Sequence, residues 1–277
     1  MSRFRKLAWV FLAVVAAAAL CAGLLSDYDY DQQLRAEAGA GPGPGHLLGT
    51  DELGRDRWSR LLYGARVSLL VAPAAAALAT ILAGIVGLAA GLARARNFRL
   101  VDTALTLTTD VFLGLPWLFI LLAVRAALPL NLHAAASLAI TGLLLGTLGW
   151  ASGARLVRAS TLTAVTASYV LQAEAAGLSQ WRVAVHHIAP ALRPVLTAQF
   201  LVTVPAFLHA EATLSLLGLG VAEPLPSLGN LLSELTSFPP IQQEPWLLAP
   251  AVLLVALVAA LQCVVPPVRS AKPREVQ

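Results

Sequence analysis

The sequence predicts an all-α integral membrane protein with about six transmembrane helices and both termini on the cytoplasmic side. Three observations carry this reading. The chain is 58% hydrophobic and only 12% charged, whereas soluble domains are about 25% charged, so too little polar surface remains to clothe a water-soluble particle. The apolar residues fall in runs near the ~20 that a helix needs to cross the hydrocarbon core. Cations and acids alternate between the gaps that separate those runs.

The first run, residues 7–25, follows Arg3, Arg5 and Lys6. It exceeds the ~7–15 apolar residues of a signal-peptide core and reads as an uncleaved anchor. Residues 67–93 hold no charge, residues 103–124 enclose Asp110, and residues 132–154 form the fourth run. The fifth begins near Pro194 and fades near Gly220, and the sixth covers residues 246–268. All are expected as helices, because an unpaired backbone cannot cross lipid.

With six spans, one side collects Arg3, Arg5, Lys6, Arg94, Arg96, Arg99, Arg155, Arg158, Arg182, Arg193, Arg269, Lys272 and Arg274. The other holds most acids, including Asp27, Asp29, Asp31, Glu37, Asp51, Glu52, Asp56, Glu223, Glu234 and Glu244. The positive-inside rule then makes the first side cytoplasmic. The implied organisation is an anchor helix and extracytoplasmic segment (1–66), a core of five helices (67–268) with a cytoplasmic loop (155–193), and a basic tail (269–277). Within the extracytoplasmic segment, residues 39–45 are rich in Gly and Pro and read as a flexible linker.

Several chemistries are excluded or left without support. The net charge of +4 says little about nucleic acid when its placement follows the membrane. A P-loop needs Gly before its Lys, yet Lys6 follows Arg5 and Lys272 follows Ala271; energy must come from a partner or an ion gradient. His186-His187 has no acid or Cys in ligand spacing and reads as loop surface, so no metal site is expected. Cys21 and Cys263 lie in apolar runs and read as packing residues. No catalytic constellation is present. Charges at span depth are expensive, about 2.5–3.5 kcal/mol each, so Asp110, Arg125, His209 and Glu211 are candidates for a pathway or for interhelical pairing. Arg125 is expected to snorkel near a helix end, and Glu211 to cap or brace the following loop.

The 155–193 loop is the expected seat of mechanism. Residues 169–176 are helix formers, Gly177 is a natural terminator, and Ser179 can cap a second helix. In that helix Trp181, Ala184, Val185 and Ile188 recur at helical spacing as one apolar face, with Arg182, His186 and His187 largely off it. Such an element either docks a partner or packs on the protein's own helix ends. On the other side, Thr50 or Asp51 is expected to cap a helix and Gly54 to permit a close approach. Leu61, Leu62 and Tyr63 would then lie on the membrane surface, with Arg60 and Arg66 reaching headgroups.

The loop resembles the EAA motif of ABC importer permeases. The fit lies in Tyr169-Val170, Ala173, Gly177, Ser179, Trp181-Arg182, His187-Ile188 and Pro190. In register with Gly177, however, Leu171 stands at the family's glutamate and Gln172 at its first alanine, while Glu174-Ala175-Ala176 spells the motif three residues later. The stretch from His46 through Val71 is very similar to the C-type permeases of dipeptide, oligopeptide and nickel importers. It includes Gly49-Thr50-Asp51-Glu52-Leu53-Gly54-Arg55-Asp56 and Ser59-Arg60-Leu61-Leu62-Tyr63-Gly64-Ala65-Arg66. Glu211-Ala212, the run from Leu214 to Gly220, and Pro224, Pro226-Ser227 and Gly229-Asn230 follow the same pattern. The resemblance covers residues 46–255.

It implies a type I importer permease paired with a homologous permease and served by an extracytoplasmic solute-binding protein. Two ATP-binding subunits would carry ATP and Mg, with no cofactor in this chain. Residues 169–190 would insert into the ATPase. The implied cargo is di- or oligopeptides, or nickel-type chelates. Two rivals remain: an ion-coupled secondary carrier using Asp110, and a non-transporting membrane scaffold.

Overall fold

The computed structural model describes residues 3–128, 133–237 and 244–265. Helix α1 (Arg3–Leu20) and the single turn α2 (Ala22–Leu25) lead into residues 26–56, which hold a 3-10 turn at Arg35–Glu37 and an isolated antiparallel bridge between Thr50 and Asp56. Then come α3 (Arg57–Ala95), α4 (Arg99–Gly114), α5 (Trp117–Ala127), α6 (Ala134–Leu148) and α7 (Ala151–Val165). Three short helices follow, α8 (Ser168–Ala175), α9 (Gln180–Val183) and α10 (Ala189–Ala191), the last two joined by a π turn at Ala184–Ile188. The chain closes with α11 (Arg193–Leu216), α12 (Leu228–Ser237) and, after a 3-10 turn at Pro245–Leu248, α13 (Ala249–Val264).

Helix α3 is the spine. Its 39 residues rise about 58 Å, nearly twice the bilayer core. It starts where the Asp56 carboxylate accepts the Ser59 amide at 2.7 Å, an N-cap that satisfies one of the orphan donors of the first turn. It ends at Asn97, whose φ of 60° lets the Phe98 amide reach back to the Ala93 carbonyl at 2.9 Å, a Schellman stop. α3 packs on α1, α4, α6, α7 and α11 through a stripe of buried alanines, among them Ala72, Ala76, Ala79 and Ala83. Its closest approach is to α7. A Cβ on Gly87 would lie 2.5 Å from the Ala154 carbonyl oxygen, and one on Gly91 would lie 2.5 Å from Thr161 Cβ. This small-xxx-small spacing lets two backbones meet where lipid offers no hydrophobic drive for association.

Among the described residues three helical stretches, Arg57–Ala95, Arg193–Leu216 and Pro245–Val264, are each long and apolar enough to cross a bilayer. Two bent pairs, Arg99–Gly114 with Trp117–Ala127 (78°) and Ala134–Leu148 with Ala151–Val165 (41°), bring this to as many as five. The continuous spans expected at 103–124 and 132–154 are therefore broken. At the first bend Pro116 has no amide to donate, and Leu115 before it is extended (ψ 133°), as a residue preceding proline must be. The second follows Gly149, where the Phe207 ring occupies the space a Cβ would need, 2.4 Å away. α1 offers only residues 7–20 beyond Lys6 before the helix breaks at Cys21, about 21 Å of apolar rise. The start of the expected fourth span, the end of the sixth, the 269–277 tail with Arg269, Lys272 and Arg274, and residues 238–243 lie outside the described residues.

Residues 39–45 are not a loose linker. The Gly39 amide donates to the Asp51 carbonyl and the Ala40 amide to Thr50 Oγ1, each at 2.9 Å, and the Thr50 amide returns a bond to the Ala40 carbonyl. Gly54 does permit a close approach: at φ 77°, its missing Cβ would sit 2.2 Å from the Leu34 carbonyl oxygen. The expected cap at Thr50 or Asp51 moves to Asp56. Asp51 instead accepts the Leu53 and Arg55 amides in a turn before the helix.

Candidate functional site

The segment 155–193 is helical over most of its length. α7 continues to Val165, so Arg155 and Arg158 lie on a core helix instead of in a loop. α8 then ends as its composition implies. Gly177 adopts φ 80°, the Leu178 amide bonds the Ala173 carbonyl and the Gly177 amide bonds the Glu174 carbonyl, the two bonds of a Schellman motif. Ser179 occupies the N-cap position of α9 but makes no side-chain capping bond. Pro190 opens α10, where its missing amide is harmless.

The expected apolar face is split. Val170, Ala173, Val183 and Ile188 are buried with Ala164 against Leu88 and Leu92 of α3. Trp181, 75% exposed, points outward with Tyr169, Leu171, Leu178 and Val185. The π turn causes the split: its wider i→i+5 spacing shifts the register between Trp181 and Ile188, so a regular α wheel misplaces them. Glu174 and Arg182 are also exposed. Arg96, just past α3, fixes the segment by donating to the Gln180 carbonyl at 3.1 Å.

At the opposite end of α3, residues 46–71 meet residues 211–234. Arg60, expected at lipid headgroups, is 1% exposed. Its Nη2 donates to Glu223 at 3.0 Å and lies 3.8 Å from Glu234. Arg55 links Asp51 (2.6 Å) to Glu223 (2.7 Å), and Arg57 donates to Glu234 at 2.6 Å. Burial pushes the Glu234 carboxyl above its ordinary range even though Arg57 and Arg60 pull it down. Leu61 and Leu62 are buried beneath this cluster and do not lie on a membrane surface. Beside it, His46 bridges two carboxylates at 2.7 Å each, Asp56 through Nδ1 and Glu37 through Nε2, and stacks on Tyr28. Burial works against its protonation, but the bonds to Asp56 and Glu37 outweigh that and hold its pKa above 6.5.

Glu211 is fully buried in α11. It accepts the hydroxyls of Ser68 at 3.0 Å and Ser215 at 2.8 Å, and Ser68 in turn accepts the Leu228 amide. It braces α3, α11 and the start of α12, with no cation on it among the described residues. Asp110, by contrast, is exposed on α4 and meets Arg155 of α7 at 2.5 Å. The structure thus separates these two acids, a buried interhelical brace and an open pair. Arg125 does not snorkel: it is buried and donates to the Leu219 and Gly220 carbonyls and to Ser137. The His209 ring hydrogen-bonds within its own helix, to the Pro205 carbonyl at 3.0 Å. Cys21 and Cys263 are exposed, not packed. Among the described residues no group of three or more His, Cys, Asp or Glu could hold a metal ion.

Sequence reasoning missed the partners of these charges. Arg155 and Arg158 were legible only as cytoplasmic cations, and Ser68 carried no signal beyond its place inside the similar 46–71 stretch.

Residues 83–266 match the family described as binding-protein-dependent transport system inner membrane component. The chain is 35% identical over 230 residues to a protein of Brucella suis biovar 1 (strain 1330) named as a peptide transport system permease, covering 83% of this chain and 74% of that one. It is 32% identical over 252 residues to the oligopeptide transport system permease protein OppC of Bacillus subtilis (strain 168), covering 89% and 78%. A dipeptide transport system permease protein, DppC of Alkalihalophilus pseudofirmus, is 32% identical over 247 residues, covering 87% and 76%. The chain therefore belongs to the inner-membrane permease family of binding-protein-dependent ABC importers and is a multi-pass protein of the bacterial inner membrane.

Proposed function

We propose that this chain is one permease subunit of an ATP-driven importer of di- or oligopeptides. It crosses the membrane six times, with α1 as the first span and each bent pair counted once, and both termini are cytoplasmic. A homologous permease completes the pathway, and a solute-binding protein delivers cargo to the side bearing the Arg55–Arg60 cluster. Two ATPase subunits, carrying ATP and Mg, engage residues 169–190. Peptides are favoured as cargo by the names of the relatives above; nickel chelates rest on the sequence resemblance alone.

The observation that carries the coupling role is the two-faced 168–191 segment. Its inner face is a small core on α3, so the segment is held firmly. Its outer face presents Tyr169, Leu171, Leu178, Trp181 and Val185 to whatever covers it. Exposed apolar side chains clustered on a rigid support mark an interaction site. Glu174 and Arg182 add charge at the rim, and with Leu171 at the family's acidic position the contact is chiefly apolar. Glu211 serves as a brace and Asp110 as a pathway residue.

The test is purification of the tagged chain from its native membrane in mild detergent, with mass spectrometry of stoichiometric partners. An ATPase and a second permease are expected. Recovery of the chain alone, with ATP-independent transport in liposomes, would establish the ion-coupled carrier instead.

A further inference from the structure

Two acid–arginine pairs join α4 to α7, and they are built differently. Asp102 takes Arg158 through two bonds, Nε to Oδ1 at 2.9 Å and Nη2 to Oδ2 at 3.0 Å, and also accepts the Thr106 hydroxyl. That is a finished, bidentate structural pair, and its acid is buried. Asp110 takes Arg155 through one bond only, Nη2 to Oδ1 at 2.5 Å, with side chains 46% and 64% exposed respectively. Asp110 Oδ2 and the Nε and Nη1 of Arg155 have no partner among the described residues.

The half-used pair borders a cavity of about 240 Å³ between α3, α4 and α7, lined on one side by Thr106, Thr109 and Arg158 and on the other by Val86, Ala90 and Ala154. That is room for roughly eight waters. Beside it along the same two helices, Phe112, Leu113 and Leu156 begin an apolar groove of about 520 Å³ that reaches Gln199 and Thr203 of α11. An exposed ion pair at span depth cannot face acyl chains without heavy penalty, so this side of the chain faces water or protein. Around the pair, Arg94, Arg155 and Arg158 stand against Asp102 and Asp110, an excess of one cation that favours a carboxylate visitor over an ammonium.

We propose that Asp110–Arg155 is an exchangeable pair that meets the C-terminal carboxylate of a peptide cargo: the carboxylate takes Arg155 as Asp110 releases it. This rests on the importer reading. Asp110 then acts as an internal competitor that keeps Arg155 from holding cargo too long.

The test uses proteoliposomes containing the complete importer with its own binding protein. Alanine peptides of two to five residues and their C-terminal amides are the probes. The readout is the acid-to-amide uptake ratio of each variant divided by that of the wild type, in which any preference of the binding protein cancels. Arg155→Gln is expected to lower the ratio about tenfold, the scale of one partly screened charged hydrogen bond. Arg155→Lys should retain most of it, and Asp110→Asn should raise it. Opposite signs for the two partners of one ion pair are not what a structural role produces. Unchanged ratios, or acid and amide uptake falling together in both variants, would overturn the proposal. So would reduced recovery of the second permease with an unchanged ratio per assembled complex. If the wild type shows no ATP-dependent uptake of any probe, the importer reading itself fails, a separate result.

Discussion

Trp181 and Val183 are two residues apart and should separate function from stability. Val183 is fully buried, in the small core that seats the 168–191 segment on α3. Val183→Ala removes two methyl groups, about 1.6 kcal/mol of transfer free energy at ~0.8 each, and a residual cavity brings the loss to about 2–3 kcal/mol. Trp181 is 75% exposed, so Trp181→Ala should change the stability of the isolated chain by less than about 0.5 kcal/mol. If its ring anchors the ATPase contact, truncation costs about 2 kcal/mol of binding, roughly a thirtyfold rise in Kd. The assay titrates purified ATPase onto the permease pair in nanodiscs and, in parallel, follows thermal unfolding of the permease. The reasoning fails if Trp181→Ala binds ATPase like the wild type, or if Val183→Ala leaves unfolding unchanged.

Three further outcomes are expected. Gly87→Val would drive a side chain into the Ala154 carbonyl, where backbone cannot yield cheaply; overpacking of about 1–3 kcal/mol or more should show as lost α3–α7 cysteine cross-linking and poor folded yield. Arg60→Ala removes a buried side chain and its bond to Glu223; because Arg55 still pairs Glu223 and Arg57 still pairs Glu234, the fold should lose about 1.5–3 kcal/mol, the scale of one charged hydrogen bond, measurable by thermal unfolding. For His46, whose pKa is raised on folding, the stabilisation is fully present below pH 6.5 and is lost as pH rises through the raised value. Hydrogen exchange at the Asp56-capped start of α3, corrected for intrinsic rates, should therefore speed up across that window in the wild type and show no such step in His46→Gln.

The membrane class was legible because runs of about 20 apolar residues and the placement of arginines are properties of the chain itself. So was the stop at Gly177, since a left-handed residue after a run of helix formers leaves few alternatives. The bends were not. An apolar run has no polar face to reveal a change of direction, and Pro116 alone does not specify a turn of 78°. Trp181 and Val185 were misassigned because a π turn is invisible to a 3.6-residue wheel. Arg60 and Arg125 look like headgroup cations until distant residues close over them, Glu223 on one and Gly220 on the other. Such pairings, separated by about a hundred residues or more, are set by tertiary structure and have no local signature.

The length of α3 has a mechanical consequence. One continuous helix joins Arg57, at the ionic cluster, to Arg94 and the turn that carries Arg96 against the 168–191 segment. A rod about 58 Å long that tilts by about 10° about its middle moves each tip by about 5 Å, in opposite directions. The lever arms are nearly equal, so a push at one membrane face is returned at the other without loss of amplitude, provided the rod stays stiff. Pro73, within the helix, has no amide to donate and so removes one bond from the ladder, the kind of place where helices bend. Replacing it with alanine would stiffen the lever and tighten the timing between the two faces of the membrane.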